Sequence, residues 1–178
     1  RLMSTRSTWP RAERPAHLRT VSLRLKILLL PWLALAAPRA VAKLNVVATT
    51  ADFGAIAREI GGDRIELTTL AKPTEDPHFV DAKPSFFVKL NHADALVEGG
   101  AELEAGWLAP LLEGARNPRL AAGQPGRISG IEGVSLLEIP SALDRSQGDI
   151  HASGNPHYLA DPLNAKVVAA HLARQRQP

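Results

Sequence analysis

Residues 44–70 read LNVVATTADFGAIAREIGGDRIELTTL, and this stretch decides the fold class. Its first seven residues, 44–50, are rich in β-branched side chains and predict a strand. Residues 64–70 predict a second strand, because apolar and polar side chains alternate along them. Residues 53–60 between the strands predict a helix that Asp52 caps and that a Gly-Gly pair ends. A strand, a helix and a strand in this order are typical of a parallel sheet covered by helices.

The alternation of strands and helices continues toward the carboxyl end of the chain. Two strands and three helices are predicted there, the strands at 93–98 and 134–139 and the helices at 84–90, 103–114 and 163–174. Pro110 lies within the second of these helices and implies a kink or a late start. Residues 118–133 contain several Gly and Pro residues and predict a loop. We therefore expect an α/β fold, a single lobe with a mostly parallel four-stranded sheet flanked by helices.

The amino-terminal residues 1–42 have the character of a leader. They carry eight of the 21 basic residues of the chain and one of its 18 acidic residues. Basic side chains precede an apolar run at 27–37, and Ala40-Val41-Ala42 supplies the small residues that a signal peptidase recognises. The apolar run is too short to cross a bilayer, which needs about 20 residues. We expect a secretory signal peptide cleaved near Ala42 and a periplasmic mature protein.

Charge and composition exclude several classes of function. Without the leader the chain is mildly acidic and has few aromatic residues, which argues against a nucleic-acid partner. The sequence contains no Cys, so it has no disulfide, thiolate metal site, Cys nucleophile or lipid-anchoring Cys.

Two polar loops that follow predicted strands each contain a Pro-His pair. The first loop, 73–79, carries His78, and the second, 148–162, carries His157. Parallel sheets bind ligands in the loops beyond the carboxyl ends of their strands, and neutral imidazole is a common ligand of transition metals. His78 and His157 are therefore candidate metal ligands, whereas a hydrogen bond within the loop is the simpler role for His151. Three acidic residues are candidates to orient the imidazole rings, namely Asp76, Asp149 and Asp161.

The motifs around these histidines are more specific than their spacing. Four segments carry them: EDPH at 75–78, GWLAPLL at 106–112, DRSQGDIH at 144–151 and GNPHY at 154–158. Together they resemble the periplasmic solute-binding proteins of zinc and manganese ABC importers, the metal-binding cluster A-I family. The resemblance covers residues 44–176, but only the amino-terminal half of the family pattern.

The resemblance implies a domain organisation and a metal site. The family has two α/β lobes joined by a long helix, with the metal between the lobes. By resemblance, residues 43–162 form the amino-terminal metal-binding lobe, and residues 163–178 begin the linking helix, with the second lobe absent. His78 and His157 match the two metal-binding histidines of that first lobe. Leu159 departs from the family pattern, which has Trp at or next to this position.

The function implied by the resemblance is metal capture, without enzymatic activity. We expect a monomer that binds a divalent metal, with zinc favoured and manganese as the alternative, and delivers it to the membrane subunit of an ABC importer. Two imidazoles do not complete the four-coordinate set that zinc prefers, so we expect a truncated, half-site version. Two alternatives stay open: a zinc-dependent hydrolase, although no H-E-x-x-H motif is present, and a non-functional fragment that exposes apolar surface.

Overall fold

The computed structural model describes residues 42–141 and 151–175 of the chain. The strands are β1 (Leu44–Ala48), β2 (Ile65–Thr69), β3 (Ala95–Glu98) and β4 (Arg127–Ser129), and the α-helices are α1 (Ala51–Gly61), α2 (Pro84–Asn91), α3 (Leu108–Ala115) and α4 (Pro162–Arg174). Short 3₁₀ turns lie at Gly62–Arg64, Pro118–Leu120 and Tyr158–Ala160. The expected leader lies outside the described ranges apart from Ala42, so its signal peptide and cleavage site stay predictions.

The four strands form one parallel sheet in the order β2-β1-β3-β4. In the middle of the sheet, Val46 of β1 pairs with Leu67 of β2 on one side and with Ala95 of β3 on the other. The carboxyl ends of parallel strands meet at one edge, so the loops that follow β1, β2 and β3 start close together. This sheet confirms the α/β fold with a mostly parallel four-stranded sheet.

Helices cover both faces of the sheet because successive strand residues point to opposite faces. Val47 and Leu96 belong to a core that α2 and α3 cover. Val46 and Val97 belong to a second core that α1 and α4 cover. Buried side chains of this size each contribute about 1.5–3 kcal/mol when removed from water, so the two cores fix the sheet on which the loops are mounted.

The structure decides two predictions about the starts of helices. The third helix begins at Leu108 and not at 103, which confirms the late start that Pro110 implies and places Pro110 in the first turn, where its missing N–H has no cost. Asp52 does not cap α1; Thr50 is the residue before the helix, and Asp52 lies in the first turn, where its negative charge faces the positive end of the helix dipole.

The predicted fourth strand at 134–139 is also wrong. Residues 127–129, within the stretch predicted to be a loop, form β4 instead. Leu96 donates its backbone N–H to the Gly126 carbonyl at 2.7 Å, and this bond starts the pairing with β3. Residues 134–139 form no regular element, and the Leu137 carbonyl accepts a hydrogen bond from the backbone N–H of Asn155 at 2.8 Å.

In residues 42–141 and 151–175, no helix has the length and apolar character to cross a bilayer.

Candidate functional site

The structure brings His78 and His157 together, although they are 79 residues apart in the chain. Their Nε2 atoms lie 3.2 Å from each other. The ring centroids are 5.1 Å apart, and the ring planes meet at 80°. The two histidines that the sequence predicts as metal ligands therefore face each other through their Nε2 atoms, in loops beyond the carboxyl ends of the strands.

The loop that carries His78 is attached to the core by a tryptophan. Trp107 is buried, as expected from its place in an apolar pattern, and its indole Nε1–H donates to the Pro77 carbonyl oxygen at 2.8 Å. The Asp76 carboxylate accepts the backbone N–H of His78 at 2.9 Å. These two bonds restrain the backbone immediately before the imidazole.

The loop that carries His157 uses the same local geometry. The Asn155 side-chain oxygen accepts the backbone N–H of His157 at 2.9 Å, with Pro156 between them. Asn155 also donates its side-chain amide to the Glu138 carboxylate at 2.8 Å. Each histidine therefore follows a proline in a turn that the side chain two residues earlier closes.

The acidic residues proposed to orient the rings have other hydrogen-bond partners. The Asp76 carboxylate binds the backbone of His78, and the Asp161 carboxylate accepts the backbone N–H of Leu163 at 2.8 Å, which caps α4. Asp149 lies outside the described residues. The carboxylates of Asp76 and Asp161 thus fix the backbone around the site.

A buried carboxylate holds the strand ends beneath the histidines. Glu104 is 3% exposed and accepts hydrogen bonds from the Thr49 hydroxyl at 2.6 Å, the Gly99 N–H at 2.7 Å and the Gly100 N–H at 3.2 Å. Burial raises the pKa of this carboxyl, while the bonds from Thr49 and Gly99 act in the opposite direction. Sequence analysis missed Glu104.

Tyr158, directly after His157, joins the same region. Its hydroxyl donates to the Gly99 carbonyl at 2.7 Å. Burial, with the nearby Glu104 carboxylate as a lesser cause, raises the pKa of the Tyr158 hydroxyl. The hydroxyl therefore keeps its proton at neutral pH and ties the second histidine loop to the carboxyl end of β3.

A third histidine lies beside the pair. The His151 ring stacks on the His78 ring with centroids 4.9 Å apart and planes tilted by 21°. The Glu102 carboxylate accepts the backbone N–H of Ala152 at 2.7 Å and lies 3.8 Å from the His151 Nδ1 atom. Sequence analysis anticipated neither the stack nor Glu102.

The three rings open onto a cavity of about 760 Å³, whose other lining residues come from Asp76 to Pro77, Glu138 to Pro140 and Gly154 to Pro156. In the described parts of the chain, no group of three or more His, Asp or Glu side chains is arranged to hold one metal ion. The arrangement at this edge of the sheet is therefore a pair of imidazoles with facing nitrogen atoms, beside a cavity lined by both polar and apolar residues.

Comparison with known proteins gives one family match. The profile of the family described as zinc-uptake complex component A, periplasmic (ZnuA) matches residues 46–176. The manganese ABC transporter substrate-binding lipoprotein PsaA of Streptococcus anginosus is 28% identical over 136 residues, which cover 75% of this chain and 41% of PsaA. The iron ABC transporter substrate-binding lipoprotein MtsA of Streptococcus pyogenes serotype M1 is 26% identical, with the same shares of each chain.

A solved structure shares the fold. The crystal structure of ZnuA matches with a TM-score of 0.57 at 22% sequence identity, over 75% of this chain and 47% of that one. The chain thus spans less than half the length of these relatives.

Proposed function

The chain belongs to the periplasmic zinc-uptake component A family, and on that premise we propose that it captures a divalent transition metal for delivery to an ABC importer. The relatives named above are substrate-binding proteins of ABC transporters, not enzymes. We therefore propose a binding role for this chain, with the membrane subunit of an importer as its partner.

The distance between the two imidazoles is the observation that carries this proposal. Zinc binds histidine nitrogen at about 2.0–2.1 Å, so two such donors on a tetrahedral ion lie roughly 3.3 Å apart. The Nε2 atoms of His78 and His157 are 3.2 Å apart, and their rings are nearly perpendicular. A cation that replaces the hydrogen bond between the two rings would contact both with little movement of either loop.

The donor type favours zinc, with manganese as the alternative cargo. Imidazole nitrogen suits zinc and iron, whereas manganese prefers carboxylate and other oxygen ligands. The two relatives are manganese and iron transporter components, so membership of the family does not determine the metal. His78 and His157 fill two positions, and water or groups outside the described residues would fill the others.

We also propose the location and organisation that the sequence predicts. Residues 1–42 would direct export to the periplasm, 43–162 would form the metal-binding lobe, and 163–178 would begin a linking helix. Amino-terminal sequencing of the exported chain tests the first of these, and a mature protein that begins near Lys43 is expected. The monomeric state is tested by sedimentation.

Thermal unfolding of the 178-residue chain with and without zinc tests the site. A ligand that binds only the native state adds about 2.7 kcal/mol at a hundred times its dissociation constant. His157→Ala should remove most of this stabilisation, and so should His78→Ala. His92→Ala is the matched control, because His92 is exposed at the end of α2 and should leave the zinc effect unchanged.

One outcome of this experiment tests the location of the metal site, and another tests the identity of the metal. Zinc stabilisation that survives both His78→Ala and His157→Ala would show that this pair is not the site. A larger stabilisation by manganese than by zinc, lost in the same variants, would retain the site and reassign the cargo.

A further inference from the structure

We propose that His151 is a positioning residue for the metal donor His78, and that Glu102 in turn fixes His151. The inference rests on the proposed function, because it assigns a role within the same site. Its evidence is the contact between two rings whose residues are far apart in the chain, together with the backbone that holds the second ring in place.

The structure separates His151 from the facing nitrogen atoms of His78 and His157. An imidazole nitrogen binds a metal along its lone pair, which lies in the plane of the ring. The His151 ring lies nearly parallel to the His78 ring, tilted by 21° with centroids 4.9 Å apart, and within the described residues no group of three or more His, Asp or Glu side chains is arranged to hold one metal ion. The Nε2 atoms of His78 and His157 lie 3.2 Å apart, which is the separation that a shared zinc ion needs. His78 and His157 therefore face each other through nitrogen atoms, whereas His151 contacts His78 through its flat face.

The stack limits the motion of the His78 side chain. A ring packed against a neighbouring flat face loses rotational freedom before metal binds, so less freedom remains to be lost on binding. The His151 side chain is only 17% exposed, so it presents a partly buried and restrained surface. Held in this way, the His78 Nε2 atom stays directed toward His157.

Glu102 holds the segment that carries His151. Its carboxylate accepts the Ala152 N–H at 2.7 Å, and the same oxygen lies 3.8 Å from the His151 Nδ1 atom. Glu102 reaches this position with a backbone φ of 67°, and Ala101 before it has a φ of 48°. Left-handed conformations are unfavourable for residues other than Gly, so the fold keeps a strained segment where the Glu102 side chain supports the histidine loop.

The opposite side of the same loop shows a second strained glutamate. Glu138 has a φ of 55°, and its carboxylate accepts the side-chain amide of Asn155. Gly154 lies between Ala152, which Glu102 binds, and Asn155, which Glu138 binds. Its φ is 107°, and an added Cβ would lie 2.9 Å from the Leu137 carbonyl oxygen. The loop from His151 to His157 is thus held on both sides, which separates the stacking ring from the donor ring by a fixed turn.

Variants of His151 separate positioning from ligation. His151→Ala removes the ring, and His151→Phe keeps a flat ring without nitrogen. Cobalt(II) affinity of the 178-residue chain, followed by its visible absorption, should fall about tenfold in His151→Ala, as is typical when a group that supports a metal ligand is lost. His151→Phe should stay within about threefold of the unchanged chain and keep the same absorption bands. An equal loss in both variants, with altered bands in His151→Phe, would make His151 a ligand and overturn the proposal.

Glu102 provides a second pair of variants. Glu102→Gln keeps an oxygen that accepts the Ala152 N–H, whereas Glu102→Ala removes it. Only Glu102→Ala should lower cobalt affinity, by several-fold. Equal affinities in these two variants would show that Glu102 does not support the ring.

A metal-free measurement distinguishes failure of this inference from failure of the proposed function. In side-chain NMR spectra of the chain without metal, the His78 ring should give one set of signals in the unchanged chain and in His151→Phe. It should give broadened or averaged signals in His151→Ala. If the unchanged chain bound no cobalt, the proposed function would fail while these spectra still decided the positioning role. Identical His78 signals in all three chains would refute it.

Discussion

The bond between the Trp107 indole and the Pro77 carbonyl predicts a variant that loosens the first histidine loop without removing a metal donor. Trp107 is 5% exposed, and its Nε1–H donates to the carbonyl oxygen at 2.8 Å. Trp107→Phe keeps most of the apolar contact and leaves that oxygen without its donor. The loss of such a bond costs about 1–2 kcal/mol of unfolding free energy.

Part of this loss should appear in metal binding, because the bond restrains the peptide directly before His78. If about 1 kcal/mol of the loss is specific to the ordered loop, zinc affinity falls roughly fivefold. The melting temperature should fall by roughly 3–8 °C. Zinc titration against a competing chelator and thermal unfolding of the metal-free chain measure the two effects separately.

Leu120→Val is the matched control for the loss of stability alone. Leu120 is 2% exposed and belongs to the same apolar core as Trp107. Its 3₁₀ turn lies beside Asp94 and Gly126, at the edge of the sheet where β3 and β4 begin. Removal of one methylene costs about 1 kcal/mol and should leave zinc affinity unchanged. An equal drop in affinity in both variants, or no drop in Trp107→Phe, would refute the reasoning.

Two further predictions concern the strand ends beneath the site. Burial raises the pKa of Glu104 above its ordinary value of 4.5, so the stability that this group contributes is present below that value and is lost as pH rises through the folded-state pKa. As pH rises through this pKa, the unfolding free energy of Glu104→Gln should therefore fall less than that of the unchanged chain. Urea unfolding at several pH values measures both. Equal falls in unfolding free energy in the two chains would contradict this prediction. Arg127 forms a two-point pair with Glu98, at 2.8 and 3.0 Å. Arg127→Lys should lower the unfolding free energy by about 1 kcal/mol, because an ammonium group cannot keep both contacts; an unchanged urea midpoint would show that the two-point geometry contributes nothing.

The first three strands could be predicted because local sequence and tertiary structure agree there. The fourth strand could not be predicted, because the hydrogen bonds that pair it with β3 involve the residues on either side of it. Residues 127–129 have no apolar run, and they form a strand because the backbone on either side bonds to β3. Gly130 donates its N–H to the Glu98 carbonyl at 2.7 Å, as Leu96 does to Gly126 at the other end. Residues 134–139 are rich in Val, Leu and Ile, which favour a strand, but they pair with no strand in the part of the chain that the structure describes.

The candidate site divides in the same way between local and distant information. His78 and His157 could be selected because each lies in a short, recognisable motif. Glu102 and Glu104 could not, because their partners lie about 50 residues away in the chain, at Ala152 and Thr49. The sequence GGAELE at 99–104 contains no motif that indicates a buried acceptor at Glu104 or a left-handed backbone at Glu102.

The two histidine turns explain why motif and geometry agree at this site. Asp76-Pro77-His78 and Asn155-Pro156-His157 form the same turn, since in each a side-chain oxygen two residues before the histidine accepts the histidine N–H at 2.9 Å. Three consecutive residues therefore fix the backbone that carries each ring, and the local sequence alone determines this part of the site. The 3.2 Å between the rings has a different origin. It depends on a parallel sheet that brings both turns to one edge and on Trp107 and Tyr158, which tie them to the core. A change in either turn should thus disturb one ring, whereas a change in the sheet edge should disturb the distance between the two.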